Sequence, residues 1–268
     1  MIFNLDSQTY GSVRFTRSVP TASAKWLIPG SQPYSAKGTF GTILIQQVNV
    51  GTARLFYTVC QVKKDLALDF KIDQPVWLTH IALKNENRFD IGGLNTIFLK
   101  QGQFNMIRSA SVKGTFYMER GNEYKTFSIY YPAEQLRKLL PFFPFLNAFI
   151  NQDGDVSKPA LLFKNHQWIN SPIIDITEHL LHCHYRGSLR HLFFDYKIKE
   201  LLFLLLGQEF NGTVAGNGLN NRIVEAISEA RYIMENGYGE PVTLHKIARQ
   251  VGMSEVKLKS GLKLLFGI

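Results

Sequence analysis

The sequence has little of what disulfide-rich, secreted or membrane-spanning proteins depend on. Only two of its 268 residues are cysteines, Cys60 and Cys183, and they form no CxxC pair. A disulfide framework or a zinc ribbon is therefore not expected, and the two thiols suit a reducing compartment. The longest apolar run, residues 201–206, is far too short to span a bilayer. The first residues contain no basic stretch followed by an apolar one, so we predict no signal peptide, no membrane partner and a cytoplasmic location.

The sequence also lacks the residue sets on which most enzymes depend. Up to residue 131 it contains a single histidine, His80. A metal-dependent enzyme built on a β-barrel needs two or three histidines and a carboxylate on inward strands. We find no phosphate loop, no GxGxxG after a strand and no Ser/His/Asp set. We therefore predict no catalytic residues, no cofactor and no enzymatic activity.

One short segment offers side chains that bind metals, namely His179, His182, Cys183 and His184. On a helix predicted from about residue 172 to 185, residues 179, 182 and 183 share a face, and imidazole and thiolate suit zinc. His184 points elsewhere on that helix, and no carboxylate stands ready to orient the ligands. We therefore expect half-exposed histidines on a helix and no metal site.

What the chain does have is an excess of positive charge. Thirty Lys and Arg stand against 21 Asp and Glu, which gives a formal net charge of +9 and a pI near 9.5. This balance favours polyanionic partners, nucleic acid above all. With 45% hydrophobic residues the composition is that of a globular protein.

Segments typical of β-strands fill the chain to about residue 131. Six of them are rich in Val, Ile, Phe, Tyr and Thr: TFGTILIQQVNV, ARLFYTVCQV, QPVWLTHIAL, TIFLKQGQFNMI, GTFYMERG and TFSIYY. Their spacing predicts an antiparallel sandwich or barrel, with either a ligand cavity or a solid core. Basic residues among the strands suit an anionic ligand or, more simply, a solvated face: Arg54, Lys63, Lys64, Arg88, Lys100 and Arg108. The ligand-binding residues stay unknown from the sequence.

Helical spacing begins near Pro132 and continues to about residue 210. We predict a short helix in PAEQLRKLLPFF and two longer ones, over about residues 172–185 and 188–206. The apolar hairpin of the two longer helices packs on the sheet or on a second copy of itself, and its apolar character predicts a homodimer. Four glycines and four asparagines in residues 207–221 predict a flexible linker.

The chain ends in two short predicted helices around a tight turn. Thr243 is placed to cap the first helix and Ser254 the second. Ala248 is small where the helices cross, Gly252 tolerates a left-handed turn, and Leu258 anchors the second helix in the core. These residue types at these offsets are typical of a helix–turn–helix.

The outward positions of the second helix carry the residues that we expect to contact DNA. They are Glu255, Val256, Lys257, Lys259, Ser260 and Lys263. Residues 244–268 contain five Lys or Arg against one Glu, net +4, so lysines can neutralise phosphates while Lys259 or Ser260 reaches base edges. The alternative is a solvated basic hairpin of helices without DNA contacts.

The AraC family of bacterial transcription regulators has a first helix–turn–helix that this end of the chain resembles. The matching residues are Thr243-Leu244, Ile247-Ala248, Val251-Gly252-Met253-Ser254, Leu258 and Phe266-Gly267. Upstream, the chain resembles the linker of the pyochelin-type, siderophore-responsive subgroup, in Leu181-His182-Cys183-His184-Tyr185, Gly187, Leu189-Arg190, Lys197 and Glu200-Leu201-Leu202. The resemblance covers about residues 173–268, and over the β-rich region it depends on domain order alone.

The resemblance implies an α+β regulator with three regions. These are a cupin-like ligand-sensing domain over residues 1–131, a helical linker or dimerisation region over 132–210, and a partial DNA-binding domain over 221–268. The implied partners are double-stranded operator DNA, a small-molecule effector of the siderophore or iron-related class, and a second copy of the chain. By position, Val256, Lys259 and Ser260 would face bases, with Glu255, Lys257 and Lys263 closer to the backbone.

The chain departs from the family at single positions and in its extent. His184 stands where the subgroup usually has Pro, and Leu262 stands where the family usually has Phe. The family has a second helix–turn–helix after the Phe-Gly pair, so we expect only the first unit in this sequence and weak DNA binding from it. The competing hypothesis is a ligand-binding or interaction module that binds no DNA.

Overall fold

The computed structural model describes residues 4–151, 158–213, 221–236 and 243–266. The chain forms two compact units: Met1–Gln167 with Leu180–Asp195, and Trp168–His179 with Tyr196–Ile268. Within the described segments, none of the helices combines the length and the apolarity that crossing a bilayer requires.

The first unit is built mainly from antiparallel strands. In chain order the strands are β1 Asn4–Ser7, β2 Gly11–Ser12, β3 Gln32–Gly38, β4 Gly41–Val50, β5 Ala53–Val62, β6 Leu66–Ile72, β7 Val76–Lys84, β8 Asn87–Ile91, β9 Ile97–Leu99, β10 Gln103–Ser109, β11 Val112–Met118, β12 Glu123–Tyr131, β13 Ala160–Leu161 and β14 Gln167–Trp168. A 3-10 helix, Thr21–Trp26, connects β2 to β3.

The strands form two sheets. One has the order β2-β1-β6-β11-β8-β9, and the other contains β13-β10-β7-β12-β5-β4-β3. Leu68 and Met118 of the first sheet share an apolar core with Ile45 and Phe56 of the second. Alternate residues of each strand face this core, because successive side chains of a strand point to opposite sides. The predicted α+β fold with a β-rich N-terminal region is therefore confirmed, and of the two predicted architectures, sandwich or barrel, the described strands form two facing sheets.

Five of the six predicted strand segments contain one strand each, namely β4, β5, β7, β11 and β12. The sixth prediction is wrong, because TIFLKQGQFNMI holds both β9 and β10. The chain turns at residues 100–102, where Gly102 has a φ of 82°. The turn is needed because β9 belongs to one sheet and β10 to the other. β1, β2, β3, β6, β8, β13 and β14 were not predicted, and the last two lie in the region that was predicted to be helical.

The helices are α1 Ala133–Arg137, α2 Leu146–Asn151, α3 Ser171–Leu181, α4 Gly187–Thr213, α5 Asn221–Asn236, α6 Leu244–Gln250 and α7 Glu255–Phe266. α3 ends four residues before its predicted end. α4 continues through residues 207–213, so this part of the predicted flexible linker is wrong, and residues 214–220 lie outside the described part of the chain. The apolar run at 201–206 is mostly buried in α4, except that Phe203 is 61% exposed.

The second unit has a small core where α5, α6 and α7 meet. It is formed by Ile227, Ala230, Ile247, Ala248, Leu258 and Leu262. α5 and α7 approach closely at Gly261, since a Cβ there would lie 2.2 Å from Cδ1 of Ile227. The packing therefore needs a glycine on α7 at this point.

Candidate functional site

The turn between α6 and α7 has the capping bonds that its sequence predicts. The Thr243 side chain accepts a hydrogen bond from the backbone N–H of Lys246 at 3.3 Å. The Ser254 hydroxyl accepts one from the N–H of Lys257 at 3.4 Å. Gly252 has a φ of 68°, in the left-handed region that favours glycine. The bounds of both helices are therefore fixed by local bonds and by one turn residue.

The two helices cross over small and apolar side chains. Ala248 is 2% exposed and Leu258 is fully buried, as expected for the crossing position and the anchor. The backbone N–H of Met253 donates to the carbonyl of Ala248 at 2.8 Å, which closes the turn. This packing holds α7 with one side in the core and the other in solvent.

The solvent side of α7 carries all six residues predicted for DNA binding. Val256 is 76% exposed, and Lys257, Lys259, Ser260 and Lys263 are also exposed. At 3.6 residues per turn, Val256, Ser260 and Lys263 lie opposite the buried Leu258 and Leu262. The helix therefore presents three lysines beside a short polar and a short apolar side chain.

Glu255 is the acidic residue at the start of this surface. Its Oε2 lies 3.6 Å from Nδ1 of His245 on α6, and both side chains are largely exposed. A carboxylate in the first turn of α7 also interacts favourably with the positive end of the helix dipole. Glu255 is thus held near the helix start, beside the exposed lysines.

The first unit contains a cavity of about 130 Å³ between its two sheets. Its walls are mostly apolar, and both sheets contribute to them. The lining includes Ile43, Ile45, Phe56, Leu68, Phe70, Leu78, Phe89, Ile107, Phe116 and Met118. Buried apolar cavities with a few polar groups are the usual form of small-ligand sites.

His80 is the most distinctive polar residue of the cavity wall. Its Nδ1 lies 2.8 Å from the Ser128 hydroxyl and its Nε2 lies 3.1 Å from Oδ1 of Asn87. The Asn87 amide nitrogen donates to the carbonyl of Asn85, so Oδ1 is the atom that faces His80. Because Oδ1 only accepts, Nε2 carries the proton and Nδ1 accepts from Ser128. Burial lowers the pKa of His80 to about 4, so the ring is neutral at physiological pH.

Two other titratable groups in the wall, Cys60 and Tyr130, are neutral as well. Burial raises the pKa of the Cys60 thiol to about 12 and also raises the pKa of Tyr130. Arg88 carries a permanent charge, but it is exposed, and its guanidinium lies over the ring of Tyr117 at 4.8 Å and that of Phe98 at 5.7 Å. Apart from Arg88, the polar groups of the wall are therefore uncharged hydroxyl, amide and imidazole groups.

The expectation of a solvated face is wrong for one basic residue among the strands. Arg108 is fully buried on β10, and its Nη2 donates to the carbonyl of Lys158 at 3.0 Å. β10 lies between β13 and β7, and all its residues are buried, so alternation leaves no solvated side there. Lys63, Lys64 and Lys100 are exposed, as that expectation requires.

The histidine cluster near residue 180 differs from its prediction. Because α3 ends at Leu181, His182 and Cys183 do not lie on the helix that carries His179, and the shared face does not form. Cys183 is buried and 2% exposed. Within the described segments, no group of three or more His, Cys, Asp or Glu has the geometry to hold a metal ion.

Comparison with known proteins gives one family and several weak structural similarities. Residues 52–219, more than half of the chain, match the family described as Regulatory protein PchR N-terminal domain. No curated protein matches the chain. The family is that of a regulatory protein, which agrees with the predicted class of protein.

Among solved structures, the AraC-like transcriptional activator CuxR is 11% identical, with 94% of this chain and 79% of that chain covered and a TM-score of 0.39. AerE from Microcystis aeruginosa is 14% identical over 37% of this chain and 44% of its own, with a TM-score of 0.29. A cupin-like protein from Thermotoga maritima is 12% identical over 34% and 68%, with a TM-score of 0.27. TM-scores this low carry no argument about the chain.

Proposed function

We propose that this chain, which belongs to the family of the regulatory protein PchR N-terminal domain, is an AraC-type transcription regulator that senses a small molecule and binds operator DNA. The matched residues end before α6 and α7. The DNA-binding half of the proposal is therefore supported by geometry, and the regulatory half by the family.

One observation carries the DNA-binding proposal, namely the exposed basic side of α7 behind a tight turn. Lys257, Lys259 and Lys263 are exposed on a helix whose other side is buried. A helix of this kind fits the major groove, where lysines contact phosphates and short side chains reach base edges. Val256, Lys259 and Ser260 are proposed to face bases, and Glu255, Lys257 and Lys263 to lie nearer the backbone.

The test is fluorescence anisotropy of the full chain with labelled DNA duplexes from a random-sequence pool, over a series of salt concentrations. Each phosphate contact contributes about −0.9 to the slope of log affinity against log salt concentration. We expect Lys257→Ala and Lys263→Ala each to weaken binding and to reduce that slope by about 0.9. Lys64→Ala is the matched control, because Lys64 is an exposed lysine of the first unit.

Binding without salt dependence, or binding unchanged in the combined Lys257→Ala, Lys259→Ala and Lys263→Ala variant, would contradict the DNA proposal. The chain would then be better described as a ligand-binding or interaction module. Ser260→Ala separates base contacts from phosphate contacts. Ser260→Ala should reduce the difference in affinity between the duplexes of the pool that the wild type binds most tightly and the rest of the pool. The slope of log affinity against log salt concentration should stay the same.

The effector and the oligomeric state complete the proposal. The subgroup resemblance supports a siderophore or another iron-related compound as effector, which calorimetry of the full chain with ferric complexes tests.

A homodimer is supported by exposed apolar side chains on α4. Leu192 is 66% exposed in the first unit, and Tyr196 is 62% exposed in the second. Sedimentation that gives only monomer at high concentration would rule the homodimer out.

A further inference from the structure

The cavity between the two sheets of the first unit is lined partly by side chains that are only half-buried. Thr58, Phe70, Leu78, Phe116 and Thr126 line it and are half-buried, although they lie on strands of the sandwich interior. Their neighbours on the same side of a strand, two residues away, are mostly buried, because side chains alternate along a strand. The space that these five side chains border is therefore room for a ligand within the fold.

Two threonines on neighbouring strands line the wall, and neither side chain has a hydrogen bond among the described residues. Thr58 on β5 stands directly opposite Thr126 on β12 in the strand register, and both line the cavity. Ser128, the next inward residue on β12, already bonds to His80. The two threonines thus offer hydroxyl groups that can donate and accept hydrogen bonds at a fixed place in a mostly apolar wall.

Arg88 is the one charged residue that lines the cavity among the described residues, and its side chain is exposed. Both ring nitrogens of His80 are used by Ser128 and Asn87, so His80 is not available to bind a metal. The guanidinium of Arg88 already lies over the aromatic rings of Phe98 and Tyr117. Burial of an unpaired carboxylate or ammonium in such surroundings costs several kcal/mol. An anionic compound or a ferric chelate is therefore a poor occupant of this space.

The size of the cavity limits the occupant further. An apolar cavity of roughly 150 Å³ is known to hold one benzene molecule, and this one measures about 130 Å³. A single six-membered ring with a small substituent fits that space. A metal chelate with its surrounding ligand atoms is several times bulkier.

We propose that the cavity binds a small uncharged molecule made of one ring, of the phenol class, whose hydroxyl bonds to Thr58 and Thr126. This proposal names a ligand class for the proposed effector-sensing function. It rests on that function for the claim that the ligand regulates the protein. It names a different effector class from the siderophore that the subgroup resemblance supports, and calorimetry with ferric complexes distinguishes the two.

The test uses calorimetry of the full chain with phenol, benzene and benzoate as probes. Phenol is expected to bind saturably, and benzoate, which has the same ring but a charge, at least about tenfold more weakly. Thr126→Val removes one hydroxyl at nearly constant volume. It should weaken phenol roughly fivefold and leave benzene unchanged, since one hydrogen bond is lost and the ring contacts are kept.

Two further variants control for the fold. Cys60→Phe places a ring into the cavity wall and should abolish binding of phenol and of benzene, with circular dichroism showing an intact fold. Thr42→Val is the matched control for Thr126→Val. Thr42 is a half-buried threonine of β4 on the opposite side from Ile43 and Ile45, so phenol affinity should stay at the wild-type value.

The proposal is overturned if phenol does not bind, if benzoate binds as tightly as phenol, or if folded Cys60→Phe still binds phenol. If Cys60→Phe does not fold, the split between phenol and benzene in Thr126→Val decides. This experiment is independent of DNA. Salt-dependent DNA binding without phenol binding rejects the cavity proposal alone, and phenol binding without DNA binding rejects the DNA proposal alone.

Discussion

The two units use their polar residues in opposite directions. The sandwich turns His80, Ser128 and the paired threonines inward, where each is uncharged and set in an apolar wall. The helices α6 and α7 turn their lysines outward, around a core of a few apolar side chains. A buried neutral site suits a small uncharged molecule, and an exposed basic surface suits a polyanion. The two proposed kinds of binding therefore depend on burial in one unit and on charge in the other.

The largest expected effect tests a buried aromatic side chain of the first unit. Phe127 is fully buried on β12, between β5 and β7, and faces away from the cavity. Phe127→Ala should lower the free energy of unfolding by about 3–5 kcal/mol, because it removes a large buried side chain and leaves a void. Hydrogen exchange with mass spectrometry should locate the lost protection in the strands. Equal loss of protection in α5 to α7 would contradict the separation of the two units.

The next effect tests the neutral interior of the sandwich through pH. The pKa of His80 is lowered from 6.5 to about 4 in the folded state. Between these two pH values, the unfolded chain binds more protons at His80 than the folded chain does. The contribution of His80 to the free energy of unfolding is therefore fully present above pH 6.5 and is lost as the pH falls toward 4. The loss should amount to about 3 kcal/mol.

Denaturant unfolding across this pH range, on the wild type and on His80→Gln, measures the His80 contribution as the difference between the two curves. Glutamine keeps polar contacts to Ser128 and Asn87 within reach but does not titrate. The same pH dependence in both proteins would show that His80 is not the group responsible.

A smaller effect tests the turn of the helical unit. Gly252→Ala should cost about 1–2 kcal/mol, because a φ of 68° is unfavourable for a residue with a Cβ. Gly207→Ala is the matched control. Gly207 lies within α4 with open space around it, so alanine there should stabilise the helix by up to about 1 kcal/mol. Thermal unfolding of both variants checks the signs, and equal effects would contradict a special role for the turn.

The smallest effect tests the cap of α7. Ser254→Ala removes the acceptor of the Lys257 N–H and should cost about 0.5–1 kcal/mol. Ser260→Ala on the exposed side of the same helix should change stability by less than this, since no cap is lost. Helix content and thermal stability of the two variants, compared side by side, decide whether Ser254 acts as a cap.

Local signals predicted most of the helical end. Thr243, Gly252 and Ser254 act on residues within three or four positions, so their roles are readable from the chain alone. The same holds for the five strands β4, β5, β7, β11 and β12, where a run of apolar and β-branched residues is sufficient. Glycine content misled at residues 207–213, because α4 continues there in spite of weak local helix propensity.

Longer-range features were not predictable in this way. The turn at Gly102 and the burial of Arg108 depend on which sheet each strand joins, and residues far along the chain decide that. The sequence feature most closely related to the cavity was His80, the single histidine among the strands. It was used only to argue that the strands contain too few histidines for a metal site. Thr58 and Thr126 gave no sign of their pairing, since 68 positions separate them in the numbering.

The sequence by itself determined the helix caps, the turn at Gly252, the basic outer side of α7 and the β-rich character of the first unit. Only the tertiary structure decided which side chains meet between the sheets, that His80 is neutral and fully hydrogen-bonded, and that a space about one ring in size remains. The physical reason is distance along the chain. Caps and turns are satisfied by bonds to near neighbours, whereas a cavity is the space left when inward side chains from distant strands fail to fill the interior.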